Sequence, residues 1–355
     1  MRVYYRYITN LWKRRCAILT IAEQNMETEE KMLSPFACLA KNSRGREIPI
    51  PPCEVRTVFQ RDRDRIVHAK SFRRLMHKTQ VFLSPEDDHY RTRLTHTLEV
   101  TQIAKTIARG LRLNEDLCEA AALGHDLGHT PFGHAGEKVL QENFSPDFTH
   151  YRQSLRVVEK LENGGKGLNL TFEVRDGIVH HSGSIRKPSG AATLEGSVVK
   201  FSDKIAYINH DIDDAIRGKI LSEDDIPREL SDILGYTHSE RIATMVKDLI
   251  YTSEGKPVIA MSPEILDATD RLRAFLHENV YINPAAKAEE IHAMDMLAKL
   301  YEYLVKNPEK MPEEFLHDDG DSIERKAADY IAGMTDRYAI NLFEDLFIPK
   351  LWKLK

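Results

Sequence analysis

Cysteine is scarce. Cys16, Cys38, Cys53 and Cys118 are the only four in 355 residues, and no two fall in a CxxC spacing. That excludes a zinc ribbon and a disulfide framework as the basis of the fold, and fits a reducing cytoplasm. An excess of one charge is also missing. The 50 basic and 55 acidic residues leave a net charge of −5, which gives no overall pull toward nucleic acid or an anionic membrane, although a local basic patch is compatible with it. No apolar run is long enough to span a bilayer, so no membrane partner is expected. Nothing repeats, and no tract is of low complexity. Lys13-Arg14-Arg15 before Cys16–Ala22 faintly resembles a signal peptide, but the apolar part is short and Glu23-Gln24-Asn25 makes a poor cleavage site. What remains is ordinary for a globular chain: 42% hydrophobic and 30% charged residues. The length allows a large core, as one big domain or two smaller ones.

The periodicity is helical. Residues 1–50 read as a peripheral extension ending in the turn-like Pro49-Ile50-Pro51-Pro52. From Val55 onward apolar residues recur at three-four spacing. Val100, Ile103, Ala104, Ile107, Ala108 and Leu111 form one such stripe, which Arg93 and His96 extend inward toward its N-terminus. Asn114 or Asp116 caps a following helix that runs to His125-Asp126 and ends at Gly128 and Pro131. Gly133–Asn143 is a further helix, Gly164–Gly167 a loop, and Glu195–Arg217 a long helix. Helices are expected at 225–250, 263–280, 284–306 and 322–344, with a short strand near Ile259 as an option. The fold class is all-α, with a catalytic core over residues 51–220 and a helical region over 221–355 packed on it.

The run from Gly124 to Glu137, GHDLGHTPFGHAGE, concentrates proton- and metal-handling side chains. His125 and Asp126 are adjacent, so on a helix they diverge by about 100°, yet a cation over the edge between them can take one donor from each. His96 offers a second imidazole and Asp203 a second carboxylate. Two histidines and two carboxylates suit a divalent cation that keeps water and binds phosphate oxygens. The chain therefore reads as a metal-dependent phosphohydrolase. The bland alternative is a set of caps, satisfied buried histidines and a solvated acid. It serves for any one residue and poorly for all four. His134 and Glu137, one turn apart, have the spacing of an acid–base side chain and the carboxylate that orients it. Their bland counterpart is a surface ion pair. His129 fits a helix C-terminal cation or a pocket residue equally well. Asp203, Tyr207, His210, Asp211 and Asp214 form a polar stripe, either a solvated face or a pocket wall. Arg61, Arg63, Arg65, Arg73, Arg74 and Lys78 form a basic run, usually solvated but able to hold phosphates beside such a site.

Together these segments resemble the HD-domain superfamily and, more closely, the deoxyguanosine-triphosphate triphosphohydrolase family and its dGTPase-like members. Residues 59–66, 72–82, 91–100, 150–156, 167–171 and 206–214 carry the likeness, over most of residues 35–220. The resemblance implies an HD-type helical core whose metal ligands are His96, His125, Asp126 and Asp203. His134 and Glu137 fall on the catalytic pair and His150 on a further active-site histidine. Gln80 falls on the contact to the deoxyribose 3′-hydroxyl, Arg93 and Lys204 on phosphate contacts, Tyr207 under the sugar, and Asp211 on a sugar-side acid. It implies a divalent metal, Mg or Mn first, with Zn, Fe, Co or Ni as alternatives. The substrates implied are deoxynucleoside triphosphates, cleaved to deoxynucleoside and inorganic triphosphate by attack at the α-phosphorus. A homo-oligomer, a hexamer in this family, is implied, while a single-stranded nucleic-acid partner is unsupported.

Two other readings compete. One is an HD phosphohydrolase of different specificity, a 5′-nucleotidase or a guanosine-tetraphosphate hydrolase. The other is a nucleotide-binding regulator without turnover. Residues 1–25 lack helical periodicity and precede Met26, a more natural start, so they are expected to be dispensable.

Overall fold

The computed structural model describes residues 19–80, 91–281 and 284–350, with side chains of 284–288 left aside. The basic Lys13–Arg15 and the Val81-Phe82 part of one family-like segment lie outside the described residues. Among those described, the secondary structure is helical with no β-strand, and Ile259 lies in irregular chain. Among the described residues no helix is long and apolar enough to cross a membrane.

The first helices among the described residues are α1 (Ile21–Met32) and α2 (Val58–Val67). Residues 21–25, which lack the apolar periodicity of the core, belong to α1. Thr20 and Glu23 form a reciprocal capping box that starts α1 five residues before Met26. Only Ala22 on this helix is buried, so there was no apolar stripe to read. A chain begun at Met26 would lose the cap and the bond from the Ala22 N–H to the Glu54 carbonyl.

The centre is built from α3 (Arg93–Leu111), α4 (Glu115–Gly124) and α8 (Leu194–Arg217) packed on one another. Thr92 caps α3, and Asn114 caps α4 by accepting the Leu117 N–H at 3.1 Å. The apolar stripe of α3 is buried as its spacing predicts, against Val198, Phe201, Ile205, Ile208 and Ile212 of α8. That same core continues past residue 220 into α9 (Arg228–Leu234), α10 (His238–Ser253) and α11 (Pro263–Leu276) through Leu230, Met245, Leu249 and Leu272.

Between α4 and α8 lie α5 (His134–Asn143), α6 (His150–Arg156) and α7 (Phe172–Val179). Helix α5 buries Val139 and Leu140 not in the central core but against Leu297, Leu300, Leu304, Ala327 and Ile331. These come from α12 (Pro284–Lys306) and α13 (Ile323–Ala332), and α14 (Asp336–Phe347) closes that side. The helix expected over 225–250 is broken at Gly235, where φ is 115°, and Thr237 starts α10 with a new capping box. The helix expected over 322–344 breaks after Ala332, and Thr335 caps α14. In both cases a threonine hydroxyl competes for the backbone N–H groups that a continuous helix would have used.

Candidate functional site

One cavity of about 410 Å³ gathers most of the singled-out residues. Its floor comes from α3, the end of α4 and the middle of α8. One wall is the Phe132–His134 turn with α6, and the other is the face of α8 with the end of α11.

His125 follows the last turn of α4. Its Nδ1 donates to the Ala122 carbonyl at 2.6 Å, which leaves the Nε2 lone pair facing inward. That nitrogen is buried and has no hydrogen-bond partner among the described residues. It lies 3.6 Å from Asp126 Oδ1 and 3.9 Å from Asp203 Oδ1. His96 Nε2 is 3.3 Å from the same Asp203 oxygen. An imidazole lone pair with no donor, aimed at two carboxylates, is a poor arrangement alone, and its donors are those a divalent cation requires. Ligand atoms of His96, His125 and Asp203 all lie within 4.8 Å of one another. The chemistry of the donor set therefore fits a divalent metal. Asp126 stands at the margin: its Oδ2 accepts from Arg93 Nη1 at 2.8 Å, and it clusters with His150 and His181 instead. Burial pushes both carboxyls up, but nearby charge outweighs it. Arg93 is among the groups that hold Asp126 well below the usual range, and Lys204 is among those that do the same for Asp203.

The second group sits above. Glu137 Oε2 accepts from His134 Nδ1 at 3.1 Å and from His150 Nδ1 at 3.0 Å, and its Oε1 accepts the His150 backbone N–H. Burial raises the Glu137 carboxyl, but these bonds outweigh it and hold it well below its ordinary value. The His134 side chain is 79% exposed, with Nδ1 anchored and the rest of the ring open to the cavity. His129 is a buried pocket residue, its ring stacked on His150 at 4.5 Å, and burial pushes it well down.

Two glycines make this geometry. A Cβ on Gly128 would lie 2.1 Å from the Ser154 backbone nitrogen, so only glycine lets α6 approach the loop. There Ser154 Oγ donates to the His125 carbonyl and accepts the Gly128 N–H. Phe132 and Gly133 both have positive φ, at 58° and 59°, and this kink turns His134 into the cavity.

The far wall holds Lys204, Tyr207, Asp211, Arg273 and Tyr281. Lys204 Nζ lies 4.8 Å from the Tyr207 ring centroid and 4.0 Å from Asp203 Oδ2. Burial raises Asp211 to about 7 despite the hydrogen bond that Tyr281 donates to it. Gln80 also lines the cavity, and its backbone carbonyl faces Arg93 Nη2 at 3.5 Å. Along the polar stripe of α8, the half-buried Asp203 and Tyr207 and the buried Asp211 line the cavity, while His210 and Asp214 are buried outside its lining, so the stripe is not a solvated face.

None of the six basic-run residues lines this cavity. Lys78 instead donates from deep burial to the His129 and Ala332 carbonyls, bracing the loop around His129 against the end of α13. Sequence reasoning missed His181, Arg273, Tyr281 and Asp336, which lie in no recognisable motif. Asp336, at the start of α14, accepts from the Phe132 N–H at 3.0 Å, the Thr79 N–H at 2.9 Å and Thr79 Oγ1 at 2.7 Å. Asp336→Ala would strand two of these backbone donors, at about 1–3 kcal/mol each. The expected result is a lowered melting temperature with faster amide exchange at Phe132 and Thr79. Unchanged exchange at both would contradict this brace.

An all-helical core presenting histidine and aspartate donors from three helices defines a class, the HD-domain proteins. Accordingly, the HD domain profile matches residues 93–208, and a phosphohydrolase-associated domain profile matches residues 259–345. The chain is 59% identical over 335 residues to a deoxyguanosinetriphosphate triphosphohydrolase-like protein of Caldanaerobacter subterraneus subsp. tengcongensis, covering 94% of this chain and 98% of that one. It is 50% identical over 347 residues to the like-named protein of Desulfatibacillum aliphaticivorans, covering 93% and 99%. With that of Clostridium perfringens it shares 49% over 334 residues, covering 92% and 98%. The chain belongs to the deoxyguanosinetriphosphate triphosphohydrolase-like family of HD-domain phosphohydrolases.

Proposed function

We propose that this chain hydrolyses deoxynucleoside triphosphates to deoxynucleoside and inorganic triphosphate in a reaction that depends on a divalent metal. The observation that carries this reading is that His96 and Asp203, grouped with the buried His125, line one cavity with a His134 ring anchored on Glu137. His96, His125, Asp126 and Asp203 would hold the metal. A bound divalent cation supplies an acidified water and neutralises phosphate charge.

The remaining chemistry belongs to the side chains. Arg93 and Lys204 bind the triphosphate, whose charge grows at its oxygens as the bond to the sugar breaks. Arg93 also orients Asp126 through their 2.8 Å contact. Tyr207 supports the sugar, with Asp211 and Gln80 at its hydroxyl side. A sugar lying flat on Tyr207 leaves little room for a 2′-hydroxyl, and such exclusion is worth about 1–3 kcal/mol. The leaving 5′-oxygen needs a proton, and the imidazolium form of His134, its Nδ1–H accepted by the Glu137 carboxylate, carries one at Nε2 that passes to that oxygen. His150, on the same carboxylate, keeps Glu137 in place.

The test incubates the purified chain with deoxynucleoside triphosphates, ribonucleoside triphosphates, nucleoside monophosphates and guanosine tetraphosphate, each with Mg2+ or Mn2+. Products are separated by ion-pair chromatography. Deoxynucleoside formation from the deoxynucleoside triphosphates alone is expected. Turnover confined to monophosphates or guanosine tetraphosphate would replace this reading, and no turnover with any of them would contradict it.

A further inference from the structure

Behind His96 lies a second line of polar groups that the reaction above does not use. His96 Nδ1 meets His210 Nδ1 at 3.4 Å, and both side chains are buried. His210 Nε2 meets Glu99 Oε2 at 3.3 Å. Glu99 is held in turn by Arg91 at 3.2 Å, and Arg91 is anchored by Asp213 and Asp214 at 2.7 and 2.9 Å. The His238 ring stacks on the outer face of His210, with centroids 5.9 Å apart.

We propose that His210 and Glu99 are positioning residues that fix the tautomer of His96 and thereby make it a metal ligand. The inference rests on the reading of His96 as a ligand given above. Two imidazole nitrogens in contact can share only one proton. Glu99 draws the proton of a neutral His210 to Nε2, so the His210 Nδ1 offers its lone pair. His96 must then carry its own proton at Nδ1 and donate it to His210. Its Nε2 is left as a bare lone pair facing Asp203 at 3.3 Å, beside His125 Nε2. The opposite tautomer would place a proton on His96 Nε2 and block the site. Metal-bound histidines are commonly oriented by an acceptor on the second nitrogen. Here that acceptor is another histidine, itself set by a half-exposed glutamate two turns from Arg91 along the chain. His125 uses the simpler device, a backbone carbonyl, and differs from His96 in needing no relay.

The experiment measures Mn2+ affinity of the full chain by chelator competition, with melting temperature recorded for each variant. His210→Leu keeps the volume and removes the acceptor, so affinity should fall by about 10–100-fold. His210→Asn places an oxygen where Nδ1 stood and should recover most of that affinity, a rescue that a merely structural role would not produce. Glu99→Ala sits on a helix surface, threatens folding least, and should weaken Mn2+ binding severalfold. If His210→Leu does not fold, Glu99→Ala and His210→Asn decide. Unchanged affinity in His210→Leu or in Glu99→Ala would overturn the inference, as would an Asn variant no better than the Leu variant. His96→Ala is the control. If it too binds Mn2+ as the parent does, the reading of His96 as a ligand fails, whereas loss in His96→Ala alone removes only the relay.

Discussion

His134→Ala is expected to leave nucleotide binding intact and to lower turnover by about two to four powers of ten. The ring is the most exposed of the candidate groups, its side chain 79% open, so its removal strands nothing in the core. Glu137 keeps a partner through His150 at 3.0 Å and through the His150 backbone N–H, and α5 keeps its buried face on the C-terminal helices. What is lost is a proton at the leaving 5′-oxygen. The measurement is a kcat and KM pair for the best deoxynucleoside triphosphate, together with substrate affinity by calorimetry. A variant with undiminished kcat would remove His134 from the chemistry. One with unchanged kcat and a raised KM would reassign it to binding.

Asp126→Ala should have the larger structural effect. The carboxylate is buried, lies 3.6 Å from His125 Nε2, and is the acceptor for Arg93 at 2.8 Å. Its loss removes a charged metal donor and also leaves the Arg93 guanidinium buried without its partner, a change that typically costs about 3–5 kcal/mol. Most of the bound metal and nearly all activity should disappear, with a clear fall in melting temperature. Asp126→Asn keeps the volume and an acceptor for Arg93, so it should restore much of the stability but not the metal. Metal analysis showing full occupancy of a folded Asp126→Ala would take Asp126 out of the ligand set.

Much of this site was legible in the sequence because its parts are local. The stripe from Arg93 to Leu111 states both the helix and its inward face, and Asn114 caps its successor as a capping residue should. The His134–Glu137 spacing of one turn needs no tertiary information, and the two are bonded in the structure. The helix breaks at Gly235 and after Ala332 were not legible, because the apolar spacing on either side is compatible with one continuous helix. Nor was α1, whose capping box at Thr20 and Glu23 starts a helix with almost no buried face. Arg273, Tyr281 and Asp336 reach the site from helices far along the chain. A lone arginine, tyrosine or aspartate in such a helix carries no local signature, and only packing makes it part of a cavity. His129, ambiguous as a helix-end cation, is settled by its ring stacked on His150 and by burial that keeps it neutral.

Heavy-oxygen water reports which bond breaks. A deoxynucleoside triphosphate is hydrolysed in that solvent, and the products are analysed by mass. Unlabelled deoxynucleoside and inorganic triphosphate carrying one solvent oxygen are expected if, as proposed, water attacks the α-phosphorus and the 5′-oxygen leaves with the sugar. Monophosphate and pyrophosphate as the first products, or the label in the deoxynucleoside, would contradict it.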